Sequence, residues 1–148
     1  MMKIRIALAL SLGLLGLSPQ AGAQAPLETA TAWDCIWLEA GTDNLFECEM
    51  FLTVAADGSL SGSIHWTVTR GPMPYYDGKL GLTAVEYIIG TYVQADKTME
   101  FRGTSKDDAH EIIGLDVYRL EVSSDGRWLF GPTASNETWK GRFHAHRR

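Results

Sequence analysis

Apolar and polar residues alternate with a period of two along most of the chain after residue 30, a pattern typical of strands that bury one face. It is clearest over residues 45–56, where one face carries Phe46, Cys48, Met50, Leu52 and Val54. We predict eight strands, at about 33–40, 45–56, 59–69, 82–95, 98–105, 111–124, 127–133 and 138–146. Asp57-Gly58 and Asp125-Gly126 are typical of tight hairpins between such strands.

No segment of ten or more residues beyond residue 23 has a helical period, which leaves at most one helical turn, around residues 105–111. Eight consecutive strands with one apolar face each fit a closed up-and-down barrel or a two-sheet sandwich. Short connections favour the barrel, and so do glycines on the predicted inward faces, which allow strong coiling. These glycines are Gly62, Gly90, Gly103, Gly114, Gly131 and Gly141. We predict an all-β, eight-stranded antiparallel barrel, with a β-sandwich as the alternative.

Residues 1–23 have the organisation of a secretory signal peptide. Two basic residues precede an apolar run at 6–17, and small residues at 21–23 provide a cleavage site. The run is too short to span a membrane, and no later segment is long and apolar enough. We therefore expect a secreted or periplasmic protein with no membrane span and a single domain over 24–148.

Cys35 and Cys48 are the two cysteines of the chain, and both lie in the part expected to be exported. Folding the chain about residues 41–44 places them roughly opposite each other on neighbouring strands. An even number of cysteines in an oxidising compartment predicts one disulfide. The pair lacks the Cys-x-x-Cys spacing typical of a catalytic or metal-binding thiol pair.

The charge balance argues against two classes of partner. The chain has 18 acidic and 13 basic residues, and removing residues 1–23 leaves 11 basic residues and a net charge of −7. Nucleic acids and anionic membranes are bound by clustered Lys and Arg. We therefore expect neither as a partner.

Short motifs resemble those of the avidin and lipocalin group of secreted, calycin-type barrels. They are Trp33 in the first strand, the Leu-Ser-Gly of residues 60–62 after an Asp-Gly turn, and the Gly-Thr-Tyr of residues 90–92. The resemblance implies the barrel fold but not the ligand. Ala32 stands where lipocalins have Gly, and residues 34–37 lack the Asn and Ser pattern that avidins use for biotin.

Inward aromatic residues and one long loop are the first candidates for ligand binding. Tryptophans on inward faces either line an apolar pocket or fill the barrel. Tyrosines beside prolines in the loop at 70–81 either suit recognition or plug one end of the barrel. Together with one inward carboxylate, the candidate ligand-binding residues are Trp33, Trp37, Trp66, Tyr75, Tyr76, Trp139 and Asp116.

Asp116 and Glu86 both lie on predicted inward faces. A buried carboxylate needs hydrogen-bond partners, so the two are either structural groups or an acid/base pair. Nothing else indicates an enzyme, and we assign no catalytic residue and no cofactor. The run at 107–111 carries metal-competent side chains but lacks ligand spacing, and we interpret it as a solvated turn without a metal.

Trp128 and Phe130 are predicted to face outward and to form an interface, unless a register slip around Pro132 turns them inward. The last strand presents an outward basic stripe of Lys140, Arg142, His144, His146 and Arg148. We predict a binding module for a small, mostly apolar ligand in the barrel mouth or interior. The alternative is a protein-interaction or inhibitor module that docks on a secreted protein through loop 70–81 and the exposed aromatic residues. An oligomer is compatible with either function.

Overall fold

Eight antiparallel strands follow one another in chain order and close into a barrel. The computed structural model describes residues 30–71, 78–135 and 140–148. The strands are β1 (Thr31–Glu39), β2 (Leu45–Val54), β3 (Ser59–Arg70), β4 (Thr83–Val93), β5 (Thr98–Asp107), β6 (Asp116–Val122), β7 (Trp128–Ser135) and β8 (Lys140–Arg147). Pairing of β1 with β8, from Trp33 opposite Arg147 to Glu39 opposite Gly141, closes the barrel.

The predicted barrel is confirmed, and the alternative of a sandwich is wrong, because the first strand pairs with the last. The predicted disulfide is also confirmed. Cys35 and Cys48 lie directly opposite each other on β1 and β2 and are bonded to each other. Both side chains are buried on the inner side of the barrel.

The sixth strand begins later than predicted, at Asp116 and not at residue 111. The carboxylate of Asp108 accepts hydrogen bonds from the backbone N–H groups of Ile112 and Ile113, at 2.9 and 3.0 Å. These bonds turn the chain before it can join the sheet, so Gly114 lies in a loop and not on a strand. The helical turn considered around 105–111 does not form, because β5 continues to Asp107. Across the described ranges no helix has the length and apolarity of a membrane span.

Two of the predicted inward glycines allow close strand approach. A Cβ at Gly62 would lie 2.1 Å from the carbonyl oxygen of Phe51, and one at Gly131 would lie 2.2 Å from that of Arg119. No side chain fits at such distances. The absence of a Cβ therefore lets neighbouring strands coil tightly enough to close a small barrel.

Aromatic side chains fill much of the interior in a continuous series. The ring centroids are separated by 5.6 Å for Trp37 and Phe46, 6.1 Å for Phe46 and Trp66, 6.1 Å for Trp66 and Phe143, 5.5 Å for Phe143 and Tyr118, and 4.5 Å for Tyr118 and Phe101. Most of these contacts are edge-to-face, an arrangement that aromatic pairs prefer. The series begins near the end of the barrel where β3, β5 and β7 end, which we call the mouth.

Candidate ligand-binding site at the barrel mouth

A small cavity lies at the mouth, between the strands and the loop at 108–115, which we call the mouth loop. Its lining combines four aromatic residues, two carboxylates and residues 112–114 of the mouth loop. These are Trp37, Phe46, Trp66 and Tyr118, then Glu86 and Asp116, then Ile112, Ile113 and Gly114. The centre of a water molecule can occupy about 20 Å³ of this space. The whole empty volume between the lining atoms, including the open rim, is about 270 Å³.

Glu86 lies at the bottom of the cavity and is only 1% exposed. Its Oε2 accepts hydrogen bonds from the hydroxyl of Tyr118 at 2.6 Å and from Nε1–H of Trp66 at 3.2 Å. Its Oε1 accepts a hydrogen bond from the backbone N–H of Asp116 at 2.9 Å. Burial raises the pKa of Glu86, and these three donors oppose that rise. Each of these three hydrogen bonds favours the ionised form of Glu86 over the neutral form.

Asp116 is the second buried carboxylate, at 8% exposed. Burial, and next the charge of Glu86, raise the pKa of Asp116 to about 7, while a hydrogen bond with Thr133 opposes the rise. The hydroxyl oxygen of Thr133 also accepts a hydrogen bond from Nε1–H of Trp37 at 2.6 Å. A relay of hydrogen bonds therefore runs from Trp37 through Thr133 to Asp116.

Neither carboxylate has a cationic partner among the described residues, where no Lys, Arg or His forms an ion pair with Glu86 or Asp116. Lys106 is near enough to favour the ionised form of Glu86. Its Nζ, however, binds the carboxylate of Asp108 at 2.9 Å and the carbonyl oxygen of Ile113. The two buried carboxylates of the cavity therefore have no ion pair with any described residue.

Two glycines make room for this arrangement. A Cβ at Gly103 would lie 2.2 Å from Oε1 of Glu86, and one at Gly141 would lie 2.3 Å from the indole ring of Trp37. The carboxylate and the indole therefore occupy space that a side chain at either position would fill. These glycines, which the sequence indicates only as part of the barrel pattern, also shape the site.

The mouth loop is held in place by Asp108. Burial works against ionisation of Asp108, but the backbone N–H groups of Ile112 and Ile113 and the ammonium group of Lys106 outweigh it and hold its pKa below the ordinary value. The side chain of Ile112 is 1% exposed and covers part of the cavity. The interpretation of 107–111 as a simple solvated turn is therefore wrong for Asp108, which organises the loop.

The structure brings three of the predicted ligand-binding residues together at the cavity: Trp37, Trp66 and Asp116. Trp33 is buried but does not line this cavity, and its Nε1–H donates to the hydroxyl of Thr31 at 2.8 Å. The predicted roles of residues 1–23, Tyr75, Tyr76 and Trp139 concern positions outside the described residues.

Two aromatic lining residues, Tyr118 and Phe46, were not selected as candidates from the sequence. Tyr118 follows Asp116 by two positions on the same strand face, and that spacing was a usable signal. Phe46 lies directly opposite Trp37 in the register of β1 and β2, which becomes visible only once the strands are paired.

The predicted outward orientation of Trp128 and Phe130 is confirmed, with 49% and 39% of these residues exposed. Pro132 pairs with Arg142 and no register slip occurs there. Phe130 lies next to His144, which in turn lies opposite the exposed Ile36 of β1. We call Ile36, Trp128, Phe130 and His144 the outer aromatic face.

No group of three or more His, Cys, Asp or Glu residues in the described part of the chain is arranged to hold a metal ion. Comparison of this chain with protein-family models, curated proteins and solved structures finds no match. The closed eight-stranded antiparallel barrel is compatible with a calycin-type architecture. The geometry of the mouth is therefore the main observation that bears on the function.

Proposed function

We propose that this protein is a secreted or periplasmic binding module of the calycin type, whose mouth takes a small, mostly apolar ligand. The observation that carries the proposal is the mouth cavity, in which aromatic walls surround a few convergent polar groups. Ligand pockets usually combine such walls with a small number of placed polar atoms.

The location of the site follows from the packing. Because aromatic side chains fill much of the interior, the space for a ligand lies at the mouth. Pockets for small molecules typically measure about 300–1,000 Å³. The mouth cavity is far smaller, with about 20 Å³ open to the centre of a water molecule, so a ligand there would have few heavy atoms and would extend beyond the open rim.

The buried carboxylates support binding over a purely structural role. Burying a carboxylate without a cationic partner costs several kcal/mol, and packed apolar residues serve stability at least as well. Titratable groups whose pKa is shifted by burial, when they lie in a cleft, are candidates for functional sites. Asp116, which lines this cavity, meets both conditions.

A substitution that fills the cavity tests the proposal. A Cβ at Gly114 would lie 3.4 Å from that of Ser135 and 3.6 Å from Oδ1 of Asp116, both ordinary contacts. Gly114→Leu should therefore fold and block the mouth. Ala109→Leu adds a side chain to the same loop at an exposed position outside the cavity lining, and it is the matched control.

Native mass spectrometry on protein purified gently from its exporting host provides the readout. We expect an additional mass that is lost on denaturation, present in the wild type and Ala109→Leu and absent in Gly114→Leu. The same mass in all three proteins would place the ligand elsewhere. No additional mass in the wild type would remove the main support for a resident ligand.

The outer aromatic face supports a second candidate function, a protein-interaction or inhibitor module acting on a secreted protein. Exposed aromatic residues beside one another are enriched at interfaces. Replacing Trp128 and Phe130 by Ser should leave the melting temperature unchanged and remove capture of a partner. Capture unchanged by both substitutions would exclude this face.

A further inference from the structure

We propose that the polar head of the ligand is a protonated primary amine that docks against Asp116 and Glu86, with its apolar body between the aromatic walls of the mouth. This inference rests on the proposed function and specifies the chemical class of its ligand.

Charge is the first argument. The cavity has two buried carboxylates, and among the described residues no cationic side chain is paired with either. Glu86 already accepts three hydrogen bonds, and Asp116 has Thr133 as its partner, which leaves acceptor capacity on the Asp116 carboxylate. An ammonium group both neutralises this charge and donates to those acceptors. An anionic head of equal size would be repelled by both carboxylates.

The aromatic walls are the second argument, and they are independent of the carboxylates. The plane of the Phe46 ring makes angles of 75° and 87° with the rings of Trp37 and Trp66. The Phe46 ring is therefore nearly perpendicular to both indole rings, and all three rings line the cavity. Aromatic rings that line a site also form the cages that recognise ammonium groups. Cations interact favourably with the faces of Trp and Phe, and this attraction grows when the site excludes water.

Size then selects among cations. The cavity, with about 20 Å³ open to the centre of a water molecule, has room for roughly one water. A primary ammonium group is close to that size, whereas a quaternary ammonium group is much larger. The apolar body of the ligand would extend past Ile113 towards the open rim.

Three compounds with the same chain of four carbon atoms separate the head-group classes: n-butylamine, n-butanol and butyrate. Titration of ¹⁵N-labelled protein at pH 7.5, followed on the indole N–H signals of Trp37 and Trp66, gives the dissociation constants. We expect n-butylamine to bind at least tenfold more tightly than n-butanol, and butyrate not to bind. Gly114→Leu should abolish binding of the amine without altering either carboxylate.

Asp116→Asn removes one charge and keeps the shape, and we expect it to weaken n-butylamine at least tenfold while leaving n-butanol unchanged. Glu121→Gln makes the same charge change on the same strand at an exposed position outside the cavity lining, and it should change neither constant. Equal weakening by both variants would mean nonspecific attraction to an acidic protein and would overturn the inference.

The remaining outcomes separate this inference from the proposed function. If n-butanol or butyrate binds as tightly as n-butylamine and Gly114→Leu blocks that binding, the preference for an amine is overturned. The proposal of a ligand site at the mouth is then retained. If none of the three compounds binds and no resident ligand is found in the purified protein, both proposals fail.

Discussion

The hydroxyl of Tyr118 donates a hydrogen bond of 2.6 Å to Oε2 of Glu86, linking β6 to β4 across the intervening strand β5. The bond lies in the barrel interior, where both residues are at most 1% exposed. Complete burial, and next the charges of Glu86 and Asp116, raise the pKa of the Tyr118 hydroxyl well above its ordinary value. The protonated hydroxyl of Tyr118 thus donates to Glu86 and holds its carboxylate in position.

Tyr118→Phe should lower the free energy of unfolding by about 1.5–3 kcal/mol, because it removes a hydrogen bond to a buried charged group. Urea denaturation at pH 7.5 measures this loss. In the background of Glu86→Gln the same substitution should cost less, so a double-mutant cycle should show coupling between the two residues. Additive effects of the two substitutions would contradict a direct bond in solution.

Asp116→Asn should change stability in a pH-dependent way. In the folded state the pKa of Asp116 is about 7, above its ordinary value of 3.8. Between these values the folded state holds a proton that the unfolded state has lost, so this residue lowers stability as pH rises from about 4 to 7. Relative to wild type, the variant should gain up to about 4 kcal/mol in free energy of unfolding between pH 4 and pH 8.

The other titratable groups that interact with Asp116, namely Glu86 and the hydroxyl of Tyr118, remain in this variant. The exposed Glu121→Gln is again the control, and its difference from wild type should be the same at both pH values. A difference for Asp116→Asn that does not change with pH would mean that this carboxylate is solvated in solution.

Gly103→Ala should destabilise the barrel by about 1–3 kcal/mol, because the new methyl group would displace Oε1 of Glu86 and break its bond with the N–H of Asp116. Gly114→Ala fits within ordinary contact distances and should change stability by less than about 1 kcal/mol. Thermal denaturation of the two variants side by side tests this difference. Equal melting temperatures would show that Glu86 is not held as described.

Reduction of the Cys35–Cys48 disulfide should lower the free energy of unfolding by about 3 kcal/mol in the chain-entropy model, because the bond closes a short loop in the unfolded chain. Urea denaturation with and without reductant measures the effect. The Cys35→Ala, Cys48→Ala double variant should be insensitive to reductant, and any response of that variant would mean that reductant acts elsewhere.

The period-two pattern predicts the strands well because each strand buries one face. It cannot distinguish a barrel from a sandwich, since both have strands with one apolar face. Closure of the barrel depends on the pairing of β1 with β8, which lies more than a hundred residues later in the chain. Short connections and glycines on inward faces supplied the local indications, the glycines because close strand approach requires them.

The candidate site was less accessible from the sequence. The inward faces of Glu86 and Asp116 follow from alternation, but their contact through the Asp116 N–H depends on the register of three strands. The sixth strand was predicted too long because Ile112 and Gly114 continue the alternation with Asp116. The backbone N–H groups of Ile112 and Ile113 instead donate to the side chain of Asp108, which keeps these residues out of the sheet. A hydrogen bond to a single side chain produces no periodic pattern in the sequence.

The most direct test of a ligand site at the mouth is native mass spectrometry of the wild type beside Gly114→Leu, both purified gently from the exporting host. We predict that the wild type carries a bound small molecule, which denaturation releases. Gly114→Leu should lack this molecule. A wild-type protein of bare polypeptide mass, or a ligand retained equally by Gly114→Leu, would contradict it.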